Sequence, residues 1–230
     1  MTLAAEPARI RVWDVPVRLF HWLLLALLGF SWWSGDQGGN WMEYHAWSGC
    51  AILVLVLFRI VWGFVGSDTA RFVHFVRSPR VSYAYFRSVL QRRPRVYLGH
   101  NPLGGWMILS LLLMLLVQAV TGLFGNDDSD YDAPLAHWIS HDTSSLVTAL
   151  HAYNFDLLLG LVGLHVAAVL THQLLRRDDM IKAMFTGVKT GDAGASVGHM
   201  VPTWRAFVLL GFVVAFVYAV LWMAGGASSL

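Results

Sequence analysis

Cysteine is nearly absent from this sequence and charge is scarce, and each shortage removes a class of protein. The one cysteine, Cys50, lies in a long apolar run, so no internal disulfide framework exists. Lys, Arg, Asp and Glu together make up 13% of the 230 residues, against about 25% in an ordinary soluble domain. That composition suits neither a disordered chain nor a typical cytosolic enzyme. Lysine and arginine are missing altogether from two stretches, 35–43 and 126–148. No ten-residue stretch alternates apolar and polar side chains, which argues against a membrane β-barrel. No internal repeat is visible.

What the chain has instead is hydrophobic residues, 57% of the total, with 11 Trp and 10 His. Five segments are long and apolar enough to cross a bilayer, which takes roughly 17–25 helical residues. They are 17–34, 44–65, 103–125, 149–175 and 204–223. Turn formers separate them, among them Gly35, Gly38, Gly39 and Asn40, then Asn101 and Pro102, then Asn126, then Gly191, Gly194 and Gly198. The fold expected is therefore an all-α integral membrane protein. The first span is followed by no small-residue cleavage pattern and is expected to remain as a helix.

Sidedness follows from the basic residues. Arg9, Arg11 and Arg18 precede or open the first span. Arg71, Arg77, Arg80, Arg87, Arg92, Arg93 and Arg95 fill the second loop. Arg176, Arg177, Lys182 and Lys189 follow span four. The two stretches without Lys or Arg hold Asp36, Glu43, Asp127, Asp128, Asp130, Asp132 and Asp142. Retention of basic loops in the cytoplasm predicts an N-in, C-out chain in a bacterial inner membrane. Within the Arg-rich loop, 81–90 sets Tyr83, Phe86 and Leu90 against Arg87 and Gln91, the pattern of an interfacial helix. The acidic run 126–132 lacks the glycine and terminal glutamate of a calcium loop and reads as a solvated stretch or a docking patch for a basic partner.

Ionisable groups inside a membrane are costly and point to function. With alternating span directions, His45 and His151 fall near the outer face, and His21 and His165 near the inner one. His151 and His165 are fourteen residues apart, close to four helical turns, so they share a face and lie roughly 21 Å apart along the axis. Two facing imidazoles at one depth between helices can clamp the iron of a planar haem. Interhelical hydrogen bonding by the same histidines is the simpler alternative. Zinc fits less well, because no carboxylate or thiolate joins either pair. Gly49, Gly160 and Gly163 would let a macrocycle approach the backbone. Arg59 shares a face with His45 and needs an anion, for which a haem propionate is a candidate. His100 is expected to be a cap or interface residue of the third span rather than a ligand, and His137 with His141 forms at most a weak metal pair. His74 and His199 are loop residues with no evident chemistry.

Four short motifs carry a family resemblance. They are Val12–Trp13–Asp14–Val15–Pro16–Val17–Arg18–Leu19–Phe20–His21–Trp22, His45–Ala46–Trp47–Ser48–Gly49, Gly99–His100–Asn101–Pro102–Leu103–Gly104 and Gly163–Leu164–His165–Val166–Ala167–Ala168. In order and spacing, from about residue 12 to 189, the chain resembles the bacterial dihaem cytochrome b561 family and the b-type cytochrome subunits of nickel–iron hydrogenases. The resemblance implies a four-helix bundle with two b haems, the inner on His21 and His165 and the outer on His45 and His151. It implies Arg59 near the inner haem and His172 in contact with quinone. Residues 1–190 would form this bundle and 191–230 a linker and a fifth helix without haem, which faces a partner or a second copy of the chain.

The leading functional expectation is electron transfer across the membrane between a periplasmic redox protein and the quinone pool. The partner is left open among a c-type cytochrome, a hydrogenase and another dehydrogenase, and nothing points to nucleic acid. Whether the chain is an enzyme in its own right also stays open. A quinone-linked oxidase of a small periplasmic substrate such as superoxide is the alternative, against which the acidic outer loops would repel an anion. A transporter would want inverted repeats and broken helices, and neither is seen.

Overall fold

A computed structural model describes residues 8–91, 97, 99–126, 131–175, 178–191 and 198–225. Their elements are β1 (Ala8–Arg11), α1 (Val15–Gln37), α2 (Met42–Val65), α3 (Phe72–Phe75), α4 (Pro79–Leu90), α5 (Pro102–Gly122), α6 (His141–Leu175), α7 (Met180–Thr186), β2 (Val188–Gly191) and α8 (Thr203–Gly225). Five helices, α1, α2, α5, α6 and α8, are long and apolar enough to span a membrane. The fold is all-α, as expected from the hydropathy.

Local chemistry sets the helix ends. Asp14 caps α1: its carboxylate accepts the Val17 N–H at 2.9 Å and, through the other oxygen, the Trp62 indole N–H at 3.0 Å. Asn101 caps α5 by accepting the Gly104 N–H at 2.8 Å, with Pro102 as the first helical residue. Of the two roles expected for His100, the cap thus falls to its neighbour. After α1 the chain turns through Gly38 and Gly39 with φ of 61° and 50°, a left-handed conformation that only glycine adopts without strain.

Most span boundaries shift by three residues or fewer, and the start of the fourth by eight. The third span stops at Gly122, where Leu123 and Phe124 close tight turns onto Val120 and Thr121. The fourth begins at His141 rather than at residue 149 and runs 35 residues, about 52 Å against a hydrocarbon core of about 30 Å. Ser140 starts it, accepting the Thr143 N–H at 3.3 Å. The polar residues that made 141–148 look like a loop are occupied: Ser144 donates to the Phe124 carbonyl at 2.7 Å, and Thr148 accepts the Asn126 N–H at 3.0 Å. The acidic residues Asp127, Asp128 and Asp130 lie outside the described residues, as do Arg92, Arg93, Arg95, Arg176 and Arg177.

The chain divides into two compact units. One gathers the residues up to Leu19 with Val61–Ser110 and Gly163–Ala206. Here β1 and β2 pair antiparallel, with Ile10 opposite Lys189, a small sheet the apolar pattern did not announce. Val12, Trp13 and Ala183 form its core, and buried Lys189 pairs with Asp178 at 2.6 Å. The helix expected near 81–90 is α4; Tyr85 is buried, and Val81, Tyr83, Phe86 and Leu90 are exposed. Asp68 ties two loops together, accepting the His199 N–H at 2.8 Å beside Arg71 and His74. That bond, above all, holds its carboxyl below the usual range, against partial desolvation and with help from His74 and Arg71.

The other unit gathers Phe20–Ile60, Leu111–Val162 and the residues from Phe207 on. Leu53 of α2, Ala119 of α5 and the stripe Val213, Val217, Leu221 and Ala224 of α8 share one buried cluster. The four α8 residues recur every three or four positions, as one helix face requires. The C-terminal end of α8 is held by His137 and Trp138, whose ring nitrogens meet the Ala224 carbonyl at 3.0 and 3.1 Å. His137 is therefore engaged in capping, and no group of three or more metal-ligating side chains occurs among the described residues.

Candidate functional site

The unit built around α2, α5 and α8 also contains a cavity of about 420 Å³. His45 near the start of α2 and His151 in α6 both line it, as do Ser31, Gly49 and Gln118. The imidazole rings of His45 and His151 meet edge-on, with centroids 6.1 Å apart and planes at 78°.

Each ring is held by its Nδ1, and the partner fixes the tautomer. His45 Nδ1 lies 2.8 Å from the Ser31 carbonyl of α1. A carbonyl only accepts, so His45 Nδ1 carries the hydrogen. Ser48 Oγ donates to Ser31 Oγ at 2.9 Å and packs α2 onto α1 at the same level. His151 Nδ1 lies 3.1 Å from Thr121 Oγ1 of α5. The Thr121 hydroxyl already donates to the Val117 carbonyl at 2.7 Å, so it accepts from His151 Nδ1–H. In the neutral form each ring would then carry its lone pair on Nε2, the atom without a hydrogen bond among the described residues.

Two glycines make room for these rings. A Cβ on Gly35 would lie 2.9 Å from His45 Nδ1, and one on Gly122 would lie 3.0 Å from His151 Cε1. A second polar clasp sets the height of α6. Buried Asn154 donates to Gln118 Oε1 at 2.6 Å and to the Met114 carbonyl at 3.1 Å. In apolar surroundings an unmatched amide is costly, so this pairing fixes α6 against α5 one turn from His151.

The remaining expected residues stand as follows. Arg59 is buried in α2 at 3% exposure, in the same unit as the cavity. His21 is half-buried on α1 beside Trp22, with ring centroids 5.0 Å apart. His165 is half-buried on the part of α6 that belongs to the other unit, as is His172 in the last turn of that helix. His100 packs between Trp13 and Phe75, at centroid distances of 4.4 and 4.7 Å. The sequence reading missed Ser31, Thr121, Gln118 and Asn154. The available signal was that each is a polar residue inside a predicted or adjoining apolar span.

The family model described as prokaryotic cytochrome b561 matches residues 12–187. The chain is 29% identical to the "Probable Ni/Fe-hydrogenase B-type cytochrome subunit" of Rhizobium leguminosarum bv. viciae, over 80% of this chain and 90% of that protein. It is 26% identical to a subunit of the same name in Cupriavidus necator, over 78% and 86%. It is 24% identical to the "Probable Ni/Fe-hydrogenase 1 B-type cytochrome subunit" of Escherichia coli K12, over 80% and 92%. No solved structure matches the chain significantly. A family model that spans most of the chain, on five long apolar helices, makes the identification: the protein belongs to the prokaryotic cytochrome b561 family and is a multi-pass membrane b-type cytochrome, an electron-transfer protein of haem b.

Proposed function

We propose that this chain carries electrons across a bacterial inner membrane between a redox protein on the outer side and the quinone pool, through two b haems. His45 and His151 ligate the outer haem; His21 and His165 ligate the inner one. Arg59 meets an inner-haem propionate, and His172 meets quinone. Residues 1–190 supply the haem-binding bundle and 191–230 the linker and fifth helix. The basic loops support a chain with its N-terminus inside and its C-terminus outside.

The pair His45 and His151 carries the proposal. A ligating imidazole nitrogen sits about 2.0 Å from its metal, and the ring centroid about 1.1 Å farther out. A centroid separation of 6.1 Å would leave room for one metal ion between the two rings. Both rings present the Nε2 lone pair, with Nδ1–H anchored as in metal-bound histidines generally. Two histidine nitrogens, with no third His, Cys, Asp or Glu grouped with them among the described residues, suit a metal whose other positions are filled by a macrocycle. The donor set and the glycine clearance therefore fit haem.

When bound, haem supplies one-electron redox chemistry at its iron. The chain's part would be to hold the haem through His45 and His151 and to keep the cavity walls mostly apolar. The relatives' names point to a nickel–iron hydrogenase as the outer partner.

The test is a reduced-minus-oxidised spectrum with a haem count per chain. Two haems are expected, falling to one in His45→Ala, His151→Ala, His21→Ala or His165→Ala. Two haems retained in any of these variants would remove that residue from the ligand set.

A further inference from the structure

One acidic residue stands where the haem reading has no use for it. Asp36, Glu43 and Asp142 each lie within two residues of a helix end, but Asp156 lies inside α6, sixteenth of its 35 residues. Its depth can be set from its neighbours. Thr121 meets His151 and Gln118 meets Asn154, so α5 and α6 run antiparallel in this unit. Asp156 therefore lies roughly 10 Å inside the Gly122 end of α5, within the apolar layer. It is exposed, and makes no hydrogen bond or ion pair among the described residues. Five residues after His151, it projects about 140° around the helix from that cavity-lining ring. Ala149, Tyr153 and Gly160 are exposed on the same face, and a Cβ on Gly160 would meet nothing within 4 Å.

We infer that this face of α6 binds a transmembrane helix of a different protein, one that brings a Lys or Arg to the level of Asp156. An acidic group open to lipid is among the costliest residues to hold in a span, and a cation from a neighbouring helix removes that cost. Ala149 and Gly160 on this face let a second backbone come close at those two positions. A second copy of this chain is the wrong occupant. Copies in one membrane share an orientation, so a two-fold contact through this face brings two acidic groups together. The five long helices hold only three Lys or Arg residues. Arg18 and Arg205 sit near helix ends, and Arg59 is buried. The inference stands on the membrane fold alone and survives any reassignment of the haem ligands.

The experiment uses the full-length chain with Cys50→Ser and an acceptor dye on a cysteine added after Leu230, in phosphatidylcholine vesicles. The probes are dye-labelled 24-residue Leu–Ala helices with Lys, Leu or Glu at the centre, and energy transfer reports association. The Lys helix is expected to bind at least tenfold more tightly than the Leu helix. That ratio should fall to about one in Asp156→Asn, and Asp156→Lys should prefer the Glu helix. Equal binding of the Lys and Leu helices, or a Lys preference that survives Asp156→Asn, overturns the proposal. Efficient disulfide formation between copies carrying Tyr153→Cys, at low protein-to-lipid ratio, overturns it in favour of self-association.

Discussion

Replacing Thr121 by valine tests whether His151 is held as a ligand or merely packed. Valine keeps the branched shape and removes only the hydroxyl that accepts His151 Nδ1–H at 3.1 Å. The ring nitrogen then loses that acceptor, and a buried donor left unsatisfied costs about 1–3 kcal/mol. Outer partners of metal-bound histidines are worth about 10–100-fold in metal affinity, so the two arguments give the same scale. The ring also becomes a weaker base. A weaker base stabilises ferric iron less, so the outer haem's midpoint potential should rise, by about 59 mV if ferric binding loses tenfold more than ferrous. Thr121→Ser restores the acceptor and should restore both affinity and potential. The assays are transfer of haem to an excess of apomyoglobin and a spectroscopic redox titration. A loss in the serine variant without one in the valine variant would show that the methyl group matters rather than the hydroxyl. A valine variant with unchanged haem loss and unchanged potential would refute the role of His151.

Four further outcomes are expected. Gly122→Ala places a methyl group 3.0 Å from His151 Cε1, so one haem per chain should be lost while the helical circular dichroism stays the same. The Asp68 carboxyl is held below its usual range, so its tie to the His199 amide is present at neutral pH and is lost as pH falls below about 4; hydrogen exchange at His199, corrected for intrinsic rates, should show this acid step, and Asp68→Asn should abolish it. His172→Ala, with both haems retained, should slow haem reduction by a quinol analogue at least tenfold; an unchanged rate moves the quinone site elsewhere. A reporter active only outside the cytoplasm should work when fused after Leu230 and fail within 77–95, and the reverse would invert the proposed sidedness.

Hydropathy is a local property, so the five spans and the contrast between basic and acidic loops were legible from residue counts alone. The shared depth of His45 and His151 was legible too, because helical rise turns sequence separation into height. The start of α6 was not: Ser144 and Thr148 look like loop residues until Phe124 and Asn126 supply their hydrogen-bond partners. The pairing of β1 with β2 joins two four-residue strands nearly the whole chain apart, and neither is long enough to show its period. His137 and Trp138 meet the last carbonyls of α8 across more than 80 residues. Sequence could thus say that histidines of the right depth exist. Only the tertiary structure could say which nitrogen each offers, because the Ser31 carbonyl and the Thr121 hydroxyl that decide it come from other helices, and a hydrogen-bond partner on another helix leaves no mark in the spacing of residues along one.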